Sequence, residues 1–236
     1  MLREVPYGRP LSLSELSGYS VSPFLAAKYA RSGWLERIGT GMYVLAGQRL
    51  GRDQGLLVLA REWPNLHVAS RSALAWQGVE HELEVRPSLW LAGDRRGPLP
   101  GWFTTVFPGE YRSWRLFSPS VGQQGLFTPP GVTEGVMVAT KERAVIELFR
   151  DVGVKVDPDQ ARNAFEMTAG LRTEMLGGLL QRCTSVKAVR LVLWWGHEMG
   201  NVDVATLKRK FDLPTGSRSR WVGALPDGST LIIPPC

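Results

Sequence analysis

Two hydrophobic spacings alternate along this 236-residue chain. One recurs every three to four residues, as on the face of a helix, and the other every second residue, as on a half-buried strand. The helical spacing comes first. In "LSLSELSG" (residues 11 to 18), Ser12 and Glu15 stand at capping-box distance and Gly18 is a stop signal, so a short helix is expected. "YSVS" reads as a tight turn. In the following "PFLAAKYARSGW", Ser22 suits the N-cap and Pro23 the first helical position. Ala26, Tyr29 and Ala30 share one face, Ala27, Lys28 and Arg31 fall toward the other, and Gly33 ends the element. The strand spacing then takes over in Leu35 to Ile38 and Met42 to Leu45.

Between these short strands lies Gly39-Thr40-Gly41. A glycine pair can mark a phosphate-cradling loop, but that motif needs a helix after it and a third glycine at fixed spacing. Here a strand-like run follows, so the stretch reads as a hairpin tip, where glycine supplies positive φ at little steric cost. The order helix, tight turn, helix, β-hairpin is that of a helix-turn-helix followed by a wing.

Beyond Gly51 the pattern becomes mixed. "DQGLLVLAREW" (53 to 63) is expected to be helical, and "HVASRSALAWQGV" (67 to 79) a short extended piece followed by a helix capped by Ser70. Three to five strands follow, with "PSLWLAG", "GWFTTVF", "SWRLFS" and "EGVMVAT" the clearest and "GDRRGPLPG" a loop. "TKERAVIELFRDV" predicts a helix capped by Thr140, with Ala144, Val145, Leu148 and Phe149 inward. Further helices are expected over about 157 to 170, 172 to 183, 185 to 199 and 204 to 211, and a final hairpin around Pro226-Asp227-Gly228. The fold class is therefore α/β (α+β): an N-terminal winged helix-turn-helix over 1–50, then a larger mixed α/β domain over 51–236.

Composition narrows the function. The chain is 44% hydrophobic and 21% charged, which is globular rather than disordered. Its formal charge is +6, which permits a polyanionic partner without requiring one. Cys183 and Cys236 are the only cysteines, so neither a disulfide framework nor a zinc spacing exists. The N-terminus lacks the apolar core of a signal peptide, and the longest apolar runs are too short to span a bilayer. A cytoplasmic protein with no membrane partner is expected.

In a winged helix the second helix enters the major groove and its early residues meet base edges. Ser20, Ser22, Ala27, Lys28 and Arg31 lie on or near that face, and Arg37 at the wing base is placed to meet a phosphate or the minor groove. Lys and Arg three apart also occur on ordinary solvated helices, so the order of elements, rather than the charges, carries this reading. A second basic cluster comprises Lys208, Arg209, Lys210, Arg218 and Arg220, and from residue 160 onward ten Lys and Arg face six Asp and Glu. This cluster fits an extended DNA footprint, an acidic partner protein or a solvated face. Catalytic and metal signatures are weak. His67, His81 and His197 are scattered, and none pairs with a Cys or carboxylate at ligand spacing; no nucleophile elbow, Walker or kinase pattern occurs. No enzymatic activity, metal or cofactor is expected. Most of the nine tryptophans should be core residues.

Taken in order, several segments resemble the AbiEi family, the antitoxins of type IV toxin–antitoxin systems. Gly33, Arg37, Gly39, Gly41 and Tyr43 match that family's "G-x-L/W-x-R-x-G-x-G-x-Y" hairpin. "HVASRSALAWQGV" is similar to the segment after its first domain, and "LLQRCTSVKAVRLVLWWGHEMG" to its late helical pair. "VATKERAVIELF" resembles its "ATPERA-hydrophobic" helix, with Lys141 where proline is more usual. The resemblance implies an autorepressor that binds inverted repeats in double-stranded operator DNA, with a dimer on DNA compatible with such repeats. It assigns DNA contact to Ser22, Lys28, Arg31 and Arg37. It further implies that the larger domain neutralises a cognate nucleotidyltransferase-like toxin. One departure stands out: the first helix of a three-helix winged domain would have to lie in "LREVPYGRP", which is short and holds two prolines. The competing readings are a protein-interaction module whose winged helix no longer reads DNA, and an enzyme with an endonuclease-like or deaminase-like second domain.

Overall fold

The computed structural model describes residues 5–79, 88–113 and 115–235. Residues 1–4, which include the start of "LREVPYGRP", as well as His81, Trp114 and Cys236, lie outside the described residues.

The first described residues, 5–10, form a turn and carry no helix, and Gly8 is bonded elsewhere. Its N–H donates to Gln48 Oε1 at 2.8 Å, its carbonyl accepts from Gly51 N–H, and its φ is +69°. A Cβ there would lie 2.6 Å from the Arg49 carbonyl oxygen, so only glycine fits this staple. Strand β1 (Leu11–Ser12) follows, then α1 (Leu13–Gly18), α2 (Pro23–Arg31), β2 (Leu35–Gly39) and β3 (Met42–Leu45). The first two residues of the expected first helix are thus a strand, pairing antiparallel with β3 to give the order β1-β3-β2. Both halves of the expected capping box form: Ser12 Oγ accepts from Glu15 N–H, and the Glu15 carboxylate accepts from Ser12 N–H. Val5, Leu11, Leu16, Val21, Ala26, Leu35 and Tyr43 close a small core under this unit. The architecture is a winged helix lacking a helix in residues 5–10, and α3 (Arg52–Ala60) does not replace it, since Leu56 and Leu59 pack into the second, larger core.

That larger core surrounds a mixed sheet of β4 (His67–Val68), β5 (Leu89–Ala92), β6 (Gly109–Arg112), β7 (Leu126–Phe127) and β8 (Val138–Ala139), in the order β6-β5-β4-β8-β7. Strand β5 runs parallel to β6 and antiparallel to β4, while β8 is parallel to β4 and antiparallel to β7. A parallel pair needs a crossover, and this explains one correction. The run "GWFTTVF", expected as a strand, is the crossover, and its first half forms the short helix α5 (Gly101–Thr104) after Pro100. The true neighbour of β5 is Gly109–Arg112, which has no apolar alternation because it is an edge strand with half-exposed side chains. "SWRLFS" supplies no strand among its described residues; Leu116 is buried and Phe117 makes one isolated bridge to Cys183.

Helix α6 (Lys141–Asp151) is the axis of this unit, buried along almost its whole length. Around it lie α4 (Ser70–Ala75), α7 (Pro158–Glu166), α8 (Thr173–Leu180) and α9 (Val186–Met199). Phe149 of α6 meets the ring edges of Phe165 and Trp195, each at 5.0 Å between centroids. Helix α10 (Val204–Lys210) and the hairpin β9 (Trp221–Ala224) with β10 (Thr230–Ile233) finish the chain. Gly177 on α8 makes room for the Phe211 ring, which would lie 2.2 Å from a Cβ. Among the described residues no helix is long and apolar enough to cross a membrane.

Candidate nucleic-acid interface

Helix α2 is held by two residues at its start. Ser22 Oγ accepts from Leu25 N–H at 3.2 Å, and Pro23 follows at the first helical position. Such a cap contributes about 1 kcal/mol. Because its oxygen only accepts in this bond, the Ser22 hydroxyl keeps its proton free to donate outward. Ala26 is fully buried and Leu25, Tyr29 and Ala30 pack on the small core. The opposite stripe, Phe24, Ala27, Lys28 and Arg31, is exposed at i, i+3, i+4 and i+7. The face expected for DNA is therefore the face left open. Lys28 and Arg31 also sit in the last helical turn, where cations favour the helix dipole.

The structure adds an aromatic component that the charge pattern did not reveal. Phe24 is 75% exposed and Trp34, between α2 and β2, is 71% exposed. The signal was present in the periodicity: position 24 falls outside the stripe set by Ala26, Tyr29 and Ala30.

The wing is less free than the helix. Arg37 is exposed, but its Nε donates to the Gly39 carbonyl at 3.2 Å, within its own hairpin. Gly39 lies against α5, and a Cβ there would meet the Trp102 Cβ at 2.9 Å. A second tether joins the two cores: Glu15 accepts from both Arg9 and Arg61, the latter 46 residues away. Burial alone would raise the Glu15 pKa, but these bonds and the Ser12 N–H outweigh it and hold the carboxyl below its usual range.

The second basic cluster divides. Lys208, Arg209, Arg218 and Arg220 are exposed, while Lys210 pairs with Glu174 and Arg209 also donates to Thr206 Oγ1. The loop before β9 is shaped from beneath by Arg190, a fully buried cation. Its guanidinium donates to the carbonyls of Thr215, Ser217 and Ser219, leaving Arg218 and Arg220 on the outside. Among the described residues, no hydrogen bond or ion pair joins this cluster to Ser22, Lys28, Arg31 or Arg37.

The segments "HVASRSALAWQGV" and "VATKERAVIELF", far apart in sequence, meet in the interior. Glu147 of α6 is fully buried. Its Oε1 is 2.9 Å from His67 Nε2 and 3.0 Å from Arg143 Nε, and its Oε2 accepts from Ser70 N–H at 3.1 Å. Arg143 Nη1 then donates to the carbonyls of Gly122 and Gln124. Burial opposes ionisation of Glu147, but His67, Arg143 and the Ser70 N–H outweigh it and hold the carboxyl below its ordinary range. Spacing along the chain gave no hint of the His67–Glu147 pair, since its members are 80 residues apart. Ser70 is correspondingly not the N-cap; Ala69 takes that place, and Ser70 is the first helical residue, with φ +50°. That left-handed backbone turns its N–H onto Glu147. Thr140 does occupy its expected N-cap position but makes no capping bond. One turn on, Glu142 accepts from the backbone N–H, Nε and Nη2 of Arg172, clamping α6 to α8.

A cavity of about 810 Å³ lies beside this network, lined by His67 and Arg143 together with Arg96, Arg115 and Asp94. Among the described residues no group of His, Cys, Asp and Glu is placed to hold a metal ion.

A small-core unit of strand, two helices and hairpin, with the second helix presenting its cationic stripe outward, defines a winged-helix protein. The family comparison then places it. Residues 1–85 match the profile described as transcriptional regulator, AbiEi antitoxin N-terminal domain, and residues 86–231 the one described as transcriptional regulator, AbiEi antitoxin, type IV TA system. The chain belongs to the AbiEi family of antitoxin transcriptional regulators. Among solved structures it is similar to the crystal structure of the RV2827C protein from Mycobacterium tuberculosis, with a TM-score of 0.60 at 12% identity over 95% of this chain and 86% of that one. This likeness concerns the fold. No curated protein matches the chain.

Proposed function

We propose that this regulator binds operator DNA upstream of its own gene through α2 and thereby represses its operon. The observation that carries the reading is the open stripe of α2, where Lys28 and Arg31 are exposed and neither forms an ion pair among the described residues. Ser22 supplies a hydroxyl donor at the N-cap of α2 and Arg37 a cation at the wing base. Such groups give affinity and register on phosphates. The larger domain neutralises a nucleotidyltransferase-type toxin, and Lys208, Arg209, Lys210, Arg218 and Arg220 form its contact surface.

The test is fluorescence anisotropy of the full chain on its upstream duplex and on a scrambled duplex, across a salt series. Tighter binding to the upstream duplex is expected, and alanine at both Lys28 and Arg31 should lower the salt slope by about two units. Weak binding, equal on both duplexes, would overturn the repressor reading. For the toxin arm, co-purification with a co-expressed nucleotidyltransferase-type toxin should fail when Arg218 and Arg220 become glutamate; unchanged recovery would remove those residues from the contact. A second reading, an interaction module with a winged helix that no longer reads DNA, draws support from the wing: Gly39 is packed on Trp102 and Arg37 is turned onto its own hairpin.

A further inference from the structure

We infer that Phe24 reads the 5-methyl group of a thymine in the major groove. The inference rests on the DNA-binding reading and gives that site a specificity element. Phe24 is the second residue of α2, in the first turn, where a recognition helix meets base edges. Its ring is 75% exposed although the core lies one helical face away. Leu25 and Ala26, its neighbours in sequence, turn inward to Val21, Leu35 and Tyr43, so rotation of the helix cannot bury Phe24 without exposing them.

The stripe it heads has an order that suits a groove. Ala27 beside it is small and lets the helix approach closely. Lys28 lies about 6 Å and Arg31 about 10 Å further along the axis at the helical rise. The major groove is about 12 Å wide, so an aromatic at the bases and a cation at the bordering phosphates are compatible in one docking. Thymine is the one base whose major-groove edge carries a methyl group, and phenylalanine is among the side chains that contact it. The cations contribute affinity without sequence information, while Phe24 is the apolar member of the stripe and discriminates by removing that methyl from water.

The experiment replaces thymidine by deoxyuridine, one position at a time, across the upstream duplex, with the full chain and anisotropy as the readout. Deoxyuridine pairs as thymidine does and lacks only the methyl. At one or two positions per half-site the wild type should lose about fourfold in affinity, the value for one methyl-sized group removed from water. F24A should bind the thymidine and deoxyuridine duplexes equally, while F24L should retain part of the discrimination. Circular dichroism of F24A should match the wild type, because Phe24 is largely exposed. Unchanged thymidine preference in F24A, or a wild type indifferent to every substitution, would overturn the assignment of Phe24 while leaving DNA binding intact. Failure of the wild type to prefer the upstream duplex at all would overturn the operator reading and this inference with it, and the two failures are told apart in the first titration.

Discussion

The two cores of this protein treat charge in opposite ways. In the winged helix the core is small and apolar, and the cations stand outside it on α2. In the larger unit the cations Arg143, Lys187 and Arg190 are themselves interior residues, held by Glu147 and by backbone carbonyls. An exposed cation costs the fold little and keeps its hydration to exchange for a phosphate. A buried one is committed to its partners, because removing either side leaves an uncompensated charge in a low-dielectric interior. Lys28 and Arg31 are therefore available for a polyanion, whereas Arg143, Lys187 and Arg190 are structural.

The largest effect that separates them should come from Glu147. Its replacement by alanine strands Arg143, His67 and the Ser70 N–H together, and a loss of about 3 to 5 kcal/mol is expected in urea titrations. The unfolding of the larger unit can be followed through its buried tryptophans Trp63, Trp90 and Trp195. A loss below about 1 kcal/mol would mean that the interior charges are not committed as described.

Next in size is the link between the cores. G39A sets a methyl 2.9 Å from the Trp102 Cβ, so either the wing or α5 must shift. Overpacking of this kind costs about 1 to 3 kcal/mol. If the wing's packing on α5 restrains DNA binding, G39A should also change affinity for the upstream duplex. Unchanged stability would show that the contact is loose enough to yield without cost.

A smaller, pH-dependent effect belongs to Glu142. The raising effect of burial is outweighed by its bonds with Arg172, and the carboxyl is held down at about 2, against an ordinary 4.5. With the folded value depressed, the unfolded chain binds more protons between these two values, and stability rises with pH there. The contribution is complete above about pH 4.5 and disappears as the pH falls toward 2. E142Q should flatten the acid limb of a stability-against-pH curve, and a curve unchanged in shape would exclude this carboxylate from it.

The smallest stability effect is expected where the functional effect is largest. Alanine at Lys28 and Arg31 should change the unfolding free energy by less than about 0.5 kcal/mol, since both side chains are solvated, while weakening DNA binding. A large destabilisation would place these cations on the structural side of the comparison.

Local chemistry was the legible part of this chain. Ser12, Glu15, Ser22 and Pro23 announce their helices because each acts within one turn of itself. The wing is readable from Gly39-Thr40-Gly41 for the same reason. The strand and helix assignments failed where a neighbour overrode the local pattern. "GWFTTVF" looks extended, but the parallel pairing of β5 with β6 requires a crossover at that point. "GEYR" shows no strand pattern of its own, yet Gly109 allows its backbone to approach β5 so closely that a Cβ would meet the Leu89 carbonyl oxygen at 2.0 Å. His67 looked solitary because its partner lies on a helix formed much later in the chain.

The sequence by itself determined the winged order of elements, the two polar faces that carry Lys28, Arg31 and the C-terminal basic residues, and the family. These follow from short-range periodicity, capping and the succession of segments. Only the tertiary structure decided which charges are buried, that the segments around His67 and Arg143 meet at Glu147, that Arg190 holds the loop of Arg218, and that Phe24 is left in solvent. The physical reason is that periodicity states which residues share a face, whereas burial depends on what packs against that face, and distant parts of the chain supply it.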